Sequence, residues 1–237
     1  MRIDLLDHGY IELVEHWGSD ERIIESARMS TGKGFLGWGP KEDGGPGDER
    51  LLRFLWENKH STPFEMGGAT VEVQAPILVF REWHRHRTQS YAELSARYTP
   101  LPDVNYIPST ERLLLGSDGK NKQAGTVKDA AVLTEEGARN FQEGLRQQYA
   151  AAESLYRSAL DAGVPKELAR AIVPVGRYSR MRATANLRNW LQFLALRMAP
   201  GAQWEIRQYA NALGERILAE IFPRTWTLFA ETLKGDQ

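Results

Sequence analysis

Apolar residues recur first at the spacing of strands and then at that of helices, and the change of period predicts the elements. Ile3, Leu5, Tyr10, Leu13 and Val14 flank Asp7-His8-Gly9, the pattern of a hairpin over residues 2–16. Asp20 is placed to cap a helix over about 20–29, and the glycine- and proline-rich run 30–47 reads as an irregular loop. A helix over 48–58 carries Leu51, Leu52, Phe54 and Leu55, after which Thr62-Pro63-Phe64-Glu65 has the cap hydroxyl, early proline and third-position glutamate of a helical turn. Val71 and Val73 alternate with Glu72 and Gln74 in a strand over 69–75, and Pro76 opens a helix through Ile77, Val79, Phe80 and Trp83 that delivers Arg85 and His86 near its end.

The second half reads as helical. Phe141, Leu145, Tyr149, Ala152, Leu155 and Ala159 predict the buried side of a long helix over 134–162, closed by Gly163 and Pro165. A helix from Pro165 to near Pro174 and two more over 184–198 and 202–222 follow, with Leu187, Trp190, Leu191 and Leu194, then Trp204, Tyr209, Leu213 and Ile217, on their buried sides. The run 116–125 lacks an apolar anchor and reads as a mobile loop rather than a boundary, so one domain over 1–237 is expected, of α+β class with a small antiparallel sheet packed with long helices.

Composition narrows the chemistry. The 237 residues carry 30 Lys plus Arg against 31 Asp plus Glu, so the molecule has no overall field to hold a nucleic-acid backbone, and any phosphate partner must be met locally. No apolar run is long enough to span a membrane and the acidic start does not resemble a signal peptide, which predicts a cytoplasmic protein with neither nucleic-acid nor membrane partner. Cysteine is absent, which removes disulfides, thiolate metal sites and thiol nucleophiles together. Covalent activation of a substrate by a thiolate is thereby excluded, so activation must come from a bound cofactor or from electrostatic polarisation.

Residues 85–98, Arg-His-Arg-Thr-Gln-Ser-Tyr-Ala-Glu-Leu-Ser-Ala-Arg-Tyr, hold three arginines, a histidine, a glutamate and two serines. Guanidiniums bind phosphate bidentately, hydroxyls add donors, and a carboxylate orients arginines or accepts a ring N–H, so a ligand with both phosphate and base would use all of them. A solvated charged loop and a nucleic-acid patch are the competing readings; missing lysines and the interspersed Glu82 and Glu93, placed to fix the arginines' directions, argue against both. His84 and His86 are two apart and would face different ways on a helix, so no metal is expected. A second basic cluster lies at 166–207, where surface ion pairs explain most single arginines; Arg170, Arg188 and Arg197 sit within or beside apolar helical runs, where an unpaired guanidinium would be costly without an anion.

The 85–98 block resembles the signature of the flavin-dependent thymidylate synthases. The resemblance extends, in order, through Ala27-Arg28-Met29-Ser30, His60-Ser61-Thr62-Pro63-Phe64-Glu65, Ala75-Pro76-Ile77, Glu167-Leu168-Ala169-Arg170, Asn186-Leu187-Arg188 and Ala202-Gln203-Trp204-Glu205. It implies a homotetramer with shared active sites that methylates dUMP to dTMP, with methylenetetrahydrofolate as carbon donor, NADPH as reductant and FAD as cofactor. By position, Ser30, His60, Thr62, Glu65, Arg85, His86, Arg87, Glu93, Asn186, Arg188 and Gln192 fall at the flavin, with His60 at its folate edge. Glu82, Arg85, Glu93, Leu94, Ser95, Ala96, Arg97, Arg170 and Arg197 fall at the nucleotide, Arg170 matching a residue contributed by a neighbouring chain. Arg197, His60 and Ser95 stand nearest the reacting atoms, Ser95 in a binding role because no general base for it is evident in its segment. Ala92, Gln192 and Gly201 replace the usual Asn, a frequent Asn and an occasional flavin-side His, and Glu82 stands where Gln is common. These departures bear on substrate preference, leaving methylation of UMP or a modified uridylate, or a noncatalytic flavin or nucleotide sensor, as the alternatives.

Overall fold

The computed structural model describes residues 1–40, 45, 47–117, 125, 127–128 and 132–235; parts of both segments expected to be irregular lie outside the described residues. Strands β1 (Arg2–Leu5) and β2 (Gly9–Trp17) form the expected hairpin, with Ile3 opposite Ile11. β2 pairs with β3 (Gly68–Pro76), β3 with β5 (Tyr178–Asn186) and β5 with the short edge strand β4 (Ser90–Glu93), giving an antiparallel sheet in the order β1-β2-β3-β5-β4.

Two of these strands depart from the sequence reading. Within β5, Met181, Ala183 and Ala185 are buried between the outward residues Arg180, Arg182 and Thr184, a strand alternation in which small alanines and a run of arginines mask the usual β-branched signal. The helix expected from 184 therefore begins at Leu187, once the Asn186 side chain accepts from the Asn189 N–H at 2.9 Å and caps it. β4 has only four residues, mostly exposed at the sheet edge, so no alternation marks it.

The helices are α1 (Asp20–Arg28), α2 (Asp48–Glu57), α3 (Ile77–Trp83), the single-turn α4 (Thr110–Leu113), α5 (Glu135–Asp161), the single-turn α6 (Lys166–Ala169), α7 (Leu187–Arg197), α8 (Trp204–Ala212), the short α9 (Ala219–Ile221) and α10 (Pro223–Gly235). The helix expected over 202–222 passes through a wide turn at Leu213–Leu218, and α10 lies beyond it. A Cβ on Gly214 would lie 2.7 Å from the Trp226 ring, so glycine is what lets α10 pack against the wide turn. Val71, Val73 and Ala75 of β3 join Trp83, Trp190 and Phe193 in the core on which α3 and α7 rest.

Of the run 116–125, expected to be mobile, residues 118–124 lie outside the described residues; Gly116 and Val127 exchange both backbone hydrogen bonds, and Arg112 donates to the Gly125 carbonyl at 2.8 Å. The long helix α5 keeps Leu145, Tyr149, Ala152 and Ala159 of its predicted apolar side half-buried. It buries Ala138, Glu153 and Tyr156, whereas Phe141 and Leu155 of the predicted apolar side are 50% and 58% exposed in the single chain. The apolar period is genuine, and α5 turns its 149/152/156 side toward its own chain.

Candidate active site

Two site clusters lie at opposite ends of α7. At its C-terminal end Arg197 donates to the Glu82 carboxylate at 2.7 Å, to the Glu82 carbonyl at 2.9 Å and, through Nε, to His86 Nε2 at 2.9 Å. The planar fork of arginine matches these three acceptors, which lie at and just beyond the end of α3. Arg197 is thus a paired, largely buried guanidinium, and the expectation that it would need an anion to avoid an unpaired charge is corrected by Glu82.

Because His86 Nε2 accepts from Arg197, the imidazole is neutral and carries its proton on Nδ1. Burial and the neighbouring Arg197 charge push its pKa down to about 4, with Glu82 opposing them weakly. A histidine held below its ordinary value contributes stability that is fully present above about 6.5 and is lost as the pH falls toward 4. An NMR titration of the His86 ring is expected to show a midpoint near 4, and a midpoint at 6.5 would contradict this hydrogen bond.

The turn after α3 is held by residues that the sequence did not single out. Tyr91 donates to the His86 carbonyl at 2.6 Å and burial pushes its phenol up to about 12; Trp83 Nε1 donates to the buried Gln89 at 3.0 Å; Asn189 donates to the Thr88 carbonyl at 3.2 Å. Phe193 stacks on Trp83 at 4.7 Å and meets the His86 ring at 4.8 Å. Tyr91 and Gln89 lie inside the signature, but nothing in their residue types separates a clamp from a contact. Arg85 and Arg87 stand exposed on this turn.

At the other end of α7, Arg188 is paired with Glu65. Arg188, Gln192 and His60 line a cavity of about 860 Å³, and His60 with Thr62 also borders a smaller hollow of about 490 Å³ beside Ser26 and Met66. The His60 ring is exposed and meets Phe54 edge-on at 5.5 Å. Ser30, exposed just past α1, donates to the Ala27 carbonyl at 3.3 Å.

A third cluster follows β4. Arg97 pairs with Glu167 at 3.2 Å, Lys166 donates to the Tyr98 carbonyl at 2.9 Å, and the exposed Arg170 donates to the Glu167 carbonyl at 3.3 Å. Ser95 Oγ accepts from the Arg97 N–H at 3.3 Å, the Leu94 N–H donates to the Arg180 carbonyl at 2.8 Å, and Ala96 is buried between them in sequence. Glu93, expected to orient arginines, instead accepts from Ser179 at 2.8 Å, because β4 pairing places it beside β5. Arg170 and Arg188 are also exposed, so burial does not demand an anion for either. Among the described residues, no hydrogen bond or ion pair joins this cluster to Glu82, His86 and Arg197.

Residues 12–224 match the family described as thymidylate synthase complementing protein. The chain belongs to this family. It is 38% identical to a flavin-dependent thymidylate synthase of Thermus thermophilus over 98% of its length and 80% of the relative's. To the flavin-dependent thymidylate synthase of Thermosipho melanesiensis it is 35% identical, over 100% of this chain and 97% of that one. Among solved structures, the UMP/dUMP methylase PolB of Streptomyces cacaoi bound with 5-Br dUMP superposes with a TM-score of 0.80 at 31% identity, covering 97% of each chain. The donor set of the three clusters fits a flavin and a nucleotide: exposed guanidiniums for phosphates, and a cavity of about 860 Å³ with aromatic walls beside His60 and Arg188.

Proposed function

We propose that the chain methylates C5 of dUMP to give dTMP, taking the carbon from methylenetetrahydrofolate and reducing equivalents from NADPH through FAD. The observation that carries this reading is the Arg197–His86–Glu82 cluster, a directed cation beside a neutral imidazole in a family member without cysteine. FAD, when bound, supplies the hydride chemistry that replaces a thiolate adduct. Ser30, Thr62, Glu65, Arg87, Asn186, Arg188 and Gln192 hold it, and His60 borders its folate edge. Arg85, Leu94, Ser95, Arg97 and Arg170 hold the nucleotide, while Arg197 polarises the uracil ring. UMP is the second reading, favoured by the solved neighbour bound with 5-Br UMP and by the acceptor-only carboxylate of Glu82. Incubation with dUMP or UMP, the folate, NADPH and FAD, with identification of the methylated nucleotide, separates the two; no methylated product from either would sink both.

Arg188→Ala and Arg87→Ala are each expected to weaken FAD binding about tenfold or more, because each removes charge-assisted donors. Retention of flavin absorbance through gel filtration, unchanged in both variants, would remove the assignment.

The working unit is a cytoplasmic homotetramer with composite sites. Phe141, Leu155, Leu168, Val175 and Leu196 are all at least half exposed on the single chain, apolar area that subunit contacts would cover. Because Arg170 sits with Arg97 on Glu167, its complement from another subunit is the Arg197 cluster. Mixed tetramers of Arg170→Ala and Arg197→Ala chains are therefore expected to recover activity that neither parent shows. Mixed assemblies as inactive as their parents would mean that each chain builds a whole site.

A further inference from the structure

We propose that Tyr91 is a positioning residue of the active site: its hydroxyl fixes the turn after α3 and thereby aims Arg85, His86 and Arg87, an inference that rests on the function proposed above. The last carbonyls of a helix have no partner within it and must find donors elsewhere. At the end of α3 the Glu82 carbonyl takes Arg197 of α7 at 2.9 Å. From β4, the Tyr91 hydroxyl donates to the His86 carbonyl at 2.6 Å, with the Trp83 carbonyl 3.2 Å away. The sheet places the ring for this: Tyr91 sits opposite the buried Ala183 of β5, on the core side of β4, and meets His84 edge-on at 4.9 Å.

Two unheld arginines make this turn matter. Arg97, Arg188 and Arg197 are each paired with a glutamate, whereas among the described residues the exposed side chains of Arg85 and Arg87 make no ion pair or hydrogen bond. Their directions therefore come from the backbone of the turn. Without Tyr91, the His86 carbonyl keeps only the longer bond from the Gln89 N–H, at 3.3 Å, among the described residues. His86 carries any shift of that backbone to its ring, which faces Arg197, Glu82 and Phe193. The strand itself does not need the hydroxyl, because β4 pairs with β5 through the backbone from Ser90 to Glu93.

Tyr91→Phe keeps the ring and removes only the oxygen. With Arg87 at the flavin and Arg85 at the nucleotide, this variant is expected to raise the Kd for FAD and for dUMP together, each about three- to tenfold, the fold-change for one net hydrogen bond. The NMR midpoint of His86 should also rise from about 4 toward its ordinary 6.5, because burial and the Arg197 charge hold it down only while the turn keeps the ring in place. Tyr106→Phe is the control. It loses a buried hydroxyl bond to Glu205, at 3.1 Å and outside this turn, so it should lower stability and leave both Kd values and the His86 midpoint alone. Any one of the three quantities unmoved in Tyr91→Phe overturns the proposal, and so does an equal change of all three in Tyr106→Phe, which would mark lost stability alone. If the parent makes no methylated nucleotide, the function fails first. The His86 titration, which needs neither ligand nor turnover, then decides the turn by itself: a raised midpoint in Tyr91→Phe supports the proposal, and an unmoved one overturns it.

Discussion

Arg197→Ala is expected to lower kcat/KM for dUMP by about 10²–10³, the range for losing one directed electrostatic donor at a reacting centre. The same change removes one of the two causes that hold His86 near pKa 4, so the midpoint of His86 should climb toward its ordinary value. Arg197→Lys is the discriminating variant. An ammonium keeps the charge but cannot place a planar fork on the Glu82 carboxylate, the Glu82 carbonyl and His86 Nε2 together, so it should recover little of the lost rate. Full activity in Arg197→Lys would show that plain charge suffices, and an unmoved His86 titration in Arg197→Ala would show that burial alone depresses it.

Much of this site was legible because its residues share one stretch. The 85–98 block puts the exposed Arg85 and Arg87 on one turn and the exposed Arg97 a few residues beyond them. What spacing could not give is pairing across the fold. Whether Arg197 meets an anion or Glu82 depends on α7 lying against α3, a contact made by Trp83, Trp190 and Phe193. The role of Glu93 turned on β4 joining β5, and neither strand carries a strong β-branched signal. The apolar side of α5 is half-buried in its own chain at Leu145, Tyr149, Ala152 and Ala159 and exposed at Phe141 and Leu155, because a period reports a face and not how much of it the chain covers. The cavity beside His60 is closed in part by α10, a helix restarted at Pro223 after the chain leaves helical backbone at Phe222.

The largest effect on stability is expected at Arg177, which has no exposed side-chain surface and donates to Glu153 at 2.7 Å and to the Pro102 carbonyl at 2.9 Å. It ties α5 to the segment that follows the signature, where the Tyr178 backbone N–H donates to the Val104 carbonyl and the Tyr106 backbone N–H to the Gly176 carbonyl, each at 2.9 Å. Removing Arg177 leaves the largely buried Glu153 with the half-exposed Arg157 as its remaining ion-pair partner, so Arg177→Met should cost about 3 kcal/mol in equilibrium unfolding. Replacing both Arg177 and Glu153 by methionine removes the carboxylate that has lost its buried partner, and the double variant should be more stable than Arg177→Met alone. The pH dependence carries the same signature. Burial pushes Glu153 up, but Arg177 and Arg157 outweigh it and hold the carboxyl below its ordinary 4.5. A depressed carboxylate contributes stability that is present above 4.5 and lost as the pH falls through its folded value, so acid should erode the parent more steeply than the double variant. Unfolding curves in which Arg177→Met matches the parent, or in which the double variant is the weaker of the two, would show that the pair is not what holds α5 to the site.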